Sequence, residues 1–186
     1  MGIFLLRMSR GVSIGFLFFI VVFSFGADAR MRGKKNFALF GGYLASIRDT
    51  SYVSNLYDGM VYGASLGYRR RRVEYFVSFR QSQQRSNYTN IEDPSIGGNY
   101  LALGARYEDS WRKAIVPVVE ISGVGLIQNG VRTEFGYGVS GAVGIGLRLS
   151  RKFTLRTVAE VSFLFIGKEQ ERMRSLYQRL DLSLHF

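Results

Sequence analysis

The chain has 186 residues, 25 Lys and Arg against 14 Asp and Glu for a formal charge of +11, and no cysteine. That length gives one domain with its own core, and the cysteine count excludes disulfides and thiolate metal sites. Two prolines, 22 glycines and 15% aromatic residues suit a sheet protein better than a helical one.

Arg7 and Arg10 precede an apolar run from Gly11 to Gly26, closed by Ala27-Asp28-Ala29. A basic start, an apolar middle and an A-x-A end predict a secretory signal peptide over residues 1–29. The rival reading is an uncleaved anchor, against which the run falls short of the ~20 residues a spanning helix needs. Cleavage after Ala29 leaves a basic N-terminal arm, residues 30–35, with Arg30, Arg32, Lys34 and Lys35, ahead of a domain over 36–186.

From Asn36 onward, eight stretches alternate with a period of two, as strands with two unlike faces do. The first sets Phe37, Leu39, Tyr43 and Ile47 on one face. The second opposes Tyr62, Ala64, Leu66 and Tyr68 to the small set Val61, Gly63, Ser65 and Gly67. The third opposes Val73, Tyr75, Val77 and Phe79 to Glu74, Phe76, Ser78 and Arg80, and the fourth Leu101, Leu103 and Tyr107 to Tyr100, Gly104 and Arg106. The fifth, residues 115–122, is the least regular, since both faces are largely apolar and Pro117 lacks a ladder donor. The sixth covers 137–149 and the seventh 153–165. The eighth alternates Leu180, Leu182, Leu184 and Phe186 with Arg179, Asp181, Ser183 and His185.

The predicted connections alternate in length. Short ones cover 69–72, 108–113 and 150–152, and long ones cover 48–59, 82–98, 128–136 and 167–175. One face of the runs carries Glu74, Arg80, Arg106, Glu120, Arg148, Arg156, Glu160, Arg179 and Asp181, and burying such charges requires partners. An eight-stranded barrel has an interior just wide enough for side chains to fill it. Five arginines and four carboxylates can pair there across strands. The opposite face then meets hydrocarbon, and aromatics such as Tyr43, Tyr62, Tyr75, Tyr107 and Phe163 supply interfacial girdles.

The chain resembles the small eight-stranded outer-membrane proteins of the OmpA/OmpX type. The resemblance rests on the Gly-spaced strands Phe37–Tyr43 and Tyr62–Tyr68 and on the closing strand, whose Leu180, Leu182, Leu184 and terminal Phe186 match the signal that the family's assembly machinery reads. It implies an all-β fold, an eight-stranded antiparallel transmembrane barrel in the outer membrane of a Gram-negative bacterium. It also implies a monomer without cofactor, non-enzymatic, whose loops serve adhesion, host-factor binding or envelope integrity.

Partners then follow from position: outer-membrane lipids, the assembly machinery, and a host or envelope ligand at the loops, where Tyr52, Tyr57, Tyr88 and Phe135 are the aromatic candidates. Arg69, Arg70, Arg71, Arg72, Arg151 and Lys152 fall in the short turns. The excess positive charge therefore gathers on one periplasmic rim, facing anionic headgroups or an acidic periplasmic partner. The export signal, and the lack of a basic groove interleaved with aromatics, argue against nucleic acid.

Two other functions stay open. A narrow pore requires the lumen to conduct, which a well-paired Arg/Glu filling opposes. A lipid A-modifying enzyme requires a Ser–His pair with an orienting carboxylate. His185 is the single histidine, and Ser183 and Asp181 share its strand face at ~7 and ~13 Å, too far for a direct triad. One His and no Cys give no metal constellation; Glu92-Asp93 is at most a weak Ca²⁺ site, and Asn87-Tyr88-Thr89 is a sequon with little meaning in a bacterium. Gly138, Gly141, Gly144 and Gly146 are expected to leave room in the lumen around Arg148.

Overall fold

A computed structural model of the chain describes residues 34–49, 54–86, 95–108, 114–129, 133–167 and 170–186, without the side chains of 54, 55, 86, 95 and 96. The predicted signal peptide and the first part of the arm lie outside these residues. Eight strands are formed: β1 (Lys34–Asp49), β2 (Ser54–Arg70), β3 (Val73–Ser86), β4 (Ser95–Glu108), β5 (Ile115–Asn129), β6 (Thr133–Arg148), β7 (Phe153–Ile166) and β8 (Glu171–His185). Each pairs antiparallel with the next, and β8 pairs with β1 to close the barrel.

The register sets the shape. Following paired residues from Phe40 leads through Gly63, Arg80, Tyr100, Leu126, Gly136, Ile166 and Glu171, and meets β1 again one residue past the Asp49–Arg172 pair. A stagger of about ten residues around eight strands tilts them by about 40°. At that tilt, strands of 14 to 17 residues rise roughly 35–43 Å, against an apolar band of about 25 Å on membrane barrels. The wall therefore overtops the band.

Alternation decides which residues face in. On β5 every odd position is exposed and every even one buried: Ile121 is 68% exposed while Val118 is 1%. Pro117 sits on the outward face. The outward apolar residues end at different places on different strands. On β3 they stop at Phe79, and Gln81, Gln83 and Arg85 follow; on β5 and β6 they run on to Ile127 and Phe135.

Two expectations about strand ends need correction. The strands continue on the loop side to leave only 50–53, 87–94, 130–132 and 167–170 between them, so the connections expected to be long are mostly short. A closed ladder satisfies backbone N–H and C=O groups whatever the side chains are, and above the band both faces can be polar, so apolar alternation fades before the strand does. Lys34 and Lys35, expected in the arm, open β1, where Lys35 and Phe186 exchange both backbone hydrogen bonds (2.9 and 3.0 Å). At the β2–β3 turn Arg71 takes φ 58°, a left-handed conformation that costs a non-glycine residue about 1–2 kcal/mol.

Candidate functional site: a filled interior between two rims

The inward face of the barrel carries a continuous ion-pair network. Arg106 sits on β4 opposite Glu120 on β5 and Glu74 on β3. Its Nε donates to Glu120 (2.5 Å) and its Nη1 to Glu74 (2.8 Å). Arg179 on β8 donates to Glu120, to Glu160 (2.6 Å) and to Asp181 (3.0 Å). Glu160 also accepts from Arg80 (2.7 Å). Toward the turn side Arg156 forms an ion pair with Glu108 at 2.6 Å, and Arg69 donates a hydrogen bond to the same carboxylate. Arg69, Arg80, Arg106, Arg156 and Arg179 are all buried, as are Glu74, Glu108, Glu120, Glu160 and Asp181. Opposite charges held together at low dielectric offset the desolvation that burial imposes on each one.

Aromatic rings join this network to an apolar layer above it. The Arg80 guanidinium lies between the Tyr100 and Tyr177 rings at 5.7 and 5.6 Å, and that of Arg106 lies 5.0 Å from Phe76. Beyond them Leu44, Val61, Leu126, Leu164, Ile166 and Met173 pack together across the barrel. At the outer mouth Arg48 on β1 bridges Glu134 on β6 (2.7 Å) and Glu171 on β8 (2.5 Å). Between network and apolar layer remains a cavity of about 10 Å³, lined by Leu44, Val61, Arg80, Tyr100, Val124, Ser162 and Tyr177. That is about the space for the centre of one water.

Outside, the arrangement is reversed. Large apolar side chains are exposed all round the wall, among them Leu39, Tyr75, Leu103, Val143, Phe163 and Leu180. A water-soluble barrel keeps such residues inside and its charges out; this one has five arginines inside and leucines out. The fold is that of the small eight-stranded outer-membrane barrels. Solved structures of that kind superpose on it at low sequence identity. Neisserial surface protein A matches with TM-score 0.58 and 13% identity, covering 78% of this chain and 95% of that one. The N-terminal β-barrel domain of Pseudomonas aeruginosa OprF matches with TM-score 0.52 and 14% identity, over 83% and 100%. Ail, the attachment invasion locus protein of Yersinia pestis, solved with the heparin analogue sucrose octasulfate, matches with TM-score 0.50 and 11% identity, over 84% and 100%. No family model matches the sequence, and no curated protein does.

The outer-membrane-type barrel places the expected lumen charges as follows. Glu74, Arg80, Arg106, Glu120, Arg156, Glu160, Arg179 and Asp181 come together inside. Arg148 faces inward but is only half-buried, at the end of β6. Two members of the network were expected in turns. Arg69 is 3% exposed and Glu108 2%, because β2 and β4 each run on to carry one more inward position. Arg70, Arg71, Arg72, Arg151 and Lys152 are exposed on the turn-side rim.

The loop aromatics separate. Tyr57 lies in β2, buried and facing inward, and Phe135 lies in β6, 69% exposed and facing outward with the apolar wall. Neither sits in a loop, since both strands extend past the expected boundary. Tyr52, Tyr88, the sequon and Glu92-Asp93 lie outside the described residues. Leu180, Leu182 and Phe186 face outward and are exposed, with Leu184 half-buried on the same face. His185 is buried, its Nε2 2.9 Å from Thr154 Oγ1. The glycine reading needs revision. Gly141 belongs to the outward face, and a Cβ on Gly138 or Gly144 would meet Phe163 O at 1.9 Å or Thr157 O at 2.3 Å. These inward glycines admit close backbone approach instead of leaving room; Gly146 alone of the four has ordinary space inside, with Arg156 Cγ at 3.5 Å.

Proposed function

We propose that the protein is a monomeric, non-enzymatic barrel of a Gram-negative outer membrane, closed to solutes, whose outer rim binds a partner from the host or the envelope. The observation that carries this reading is the filled interior. Among the described residues, ion pairs below and an apolar layer above pack the interior, with a cavity of about 10 Å³ between them, so the surfaces offered to a partner are the wall and the two rims. The wall is occupied by lipid. Strands that overtop the apolar band make the outer rim a raised, rigid platform, and rigid presentation lowers the ordering cost of binding. Ail with sucrose octasulfate is a precedent for a polyanion on a barrel of this fold. Here the outer end pairs Arg48 with Glu134 and Glu171, and Arg174 with Asp49 (2.9 Å), a balance of charge that favours a mixed-polarity surface over a polyanion.

Replacing residues 45–58, 81–99, 127–135 and 165–174 by the corresponding parts of an unrelated eight-stranded barrel removes the platform and keeps the wall. The exchanged protein is expected to fold and to lose capture of host or envelope ligand; undiminished capture contradicts the reading. In planar bilayers the intact barrel is expected to stay silent, whereas steady ion-permeable openings support the narrow-pore alternative. An enzymatic role has little geometry behind it. His185 meets Thr154, and Ser183 Oγ accepts from Arg156. His185→Ala is expected to leave lipid A composition unchanged.

A further inference from the structure

The turn-side rim has a feature that sealing the barrel does not require. Arg70, Arg71 and Arg72 are exposed in succession at the β2–β3 turn. Among the described residues, the acidic side chains on the strands flanking that turn, Glu74 and Glu108, are buried and face inward. On the outward face Tyr68 pairs with Tyr75 across β2 and β3, and Val73 lies opposite both Arg70 and Tyr107. Arg72 Nη1 donates to the Tyr107 hydroxyl (3.3 Å), which holds one guanidinium beside the edge of the apolar wall. The arc continues past Lys34 on β1, the register partner of Arg69, to Lys152, whose carbonyl accepts from the backbone of His185. Arg71 occupies a left-handed turn position, φ 58°, where glycine is unstrained.

We propose that the Arg70–Arg72 turn, with Tyr68, Tyr75 and Tyr107 above it, is a binding site for the phosphate headgroup of an anionic phospholipid in the leaflet at the turn side. Guanidinium groups match phosphate oxygens in a fork geometry. Tyrosine rings occupy the water–hydrocarbon border, where headgroups lie. That position favours lipid over an acidic protein, which would have to displace lipid to reach the same residues. The site anchors the barrel and fixes its depth. It rests on the reading of the chain as a membrane barrel.

The folded full chain in neutral detergent, with phosphatidylglycerol or phosphatidylcholine added, is examined by native mass spectrometry for retained lipid. At about fivefold per basic residue near an anionic headgroup, the expected preference for phosphatidylglycerol is at least about tenfold, falling as salt rises. The variant Arg70→Gln/Arg71→Gly/Arg72→Gln is expected to bring it to within about twofold, and Arg70→Lys/Arg72→Lys to retain most of it. Should the triple variant not fold, Arg71→Gly alone, which relieves the backbone, is expected to lower the preference about threefold to fivefold. Equal retention of both lipids by the parent chain overturns the proposal, and so does an undiminished preference in the neutral variants. Capture of an acidic protein without lipid preference overturns it as well. Failure of the chain to give a heat-modifiable barrel band in detergent counts against the membrane reading instead, so the two failures are distinguishable.

Discussion

Arg106 and Glu120 are direct register partners on β4 and β5, with 2.5 Å between Nε and Oε1 and neither reaching solvent. Each also belongs to a second pair, Arg106 with Glu74 and Glu120 with Arg179. Removing one member therefore strands more than one charge.

Glu120→Gln is expected to lower the free energy of unfolding from lipid vesicles by about 3–5 kcal/mol, because two buried guanidinium groups lose an anionic partner. Combining it with Arg106→Met is expected to cost less than the two single changes added, since residues sharing one network are not independent. A urea titration followed by tryptophan emission measures this, and strict additivity would argue against a connected network.

Adjacent arginines at the end of β2 provide an internal control. Arg69 is buried and donates to Glu108, while Arg70 is exposed on the rim. Arg69→Gln is expected to cost about 3 kcal/mol or more, and Arg70→Gln to stay within about 0.5 kcal/mol. Equal effects would place both side chains in the same environment.

Gly138 and Gly123 make a second contrast. A Cβ at Gly138 would sit 1.9 Å from Phe163 O, whereas one at Gly123 meets nothing within 4 Å. Gly138→Ala must shift the β6–β7 backbone and is expected to cost about 1–3 kcal/mol. Gly123→Ala is expected to be neutral or to stabilise by about 0.5–1 kcal/mol through the unfolded chain. The same titration separates them.

The Arg48 bridge closes the outer mouth above a layer that is already apolar. Arg48→Ala is expected to cost about 1.5–3 kcal/mol from the lost charged hydrogen bonds. It is also expected to leave bilayer recordings silent, because Leu164, Ile166 and Met173 still fill the section beneath. Openings in this variant alone would make Arg48 a gate.

Much of this architecture can be read from parity. Counting by twos from Val61, Gly63, Ser65 and Gly67 reaches Arg69, and counting on from Arg106 reaches Glu108. Clustered charge at both positions reads as a solvated turn, although their parity matches the inward face. The strand ends on the loop side were not legible in the same way. Gln81 to Ser86 sets polar residues against polar residues, and Glu171 to Ser175 offers Met173 as its single apolar residue, so little contrast marks the alternation that the closed ladder maintains. Cross-barrel partners such as Arg48 with Glu134 depend on the stagger of the barrel, which alternation along single strands does not specify.

Which face of the wall meets lipid is tested directly by a cysteine scan of β5, because the chain has no cysteine of its own. Spin labels at positions 115 to 129, in the barrel reconstituted in bilayers, are read for collision with oxygen and with a water-soluble nickel complex. The odd positions from Val119 to Gly125 are expected to collide with oxygen and not with nickel, and Glu120, Ser122 and Val124 with neither. Nickel collisions at the odd positions, or oxygen collisions at Glu120, would contradict a wall that turns its apolar residues to lipid and its charges inward.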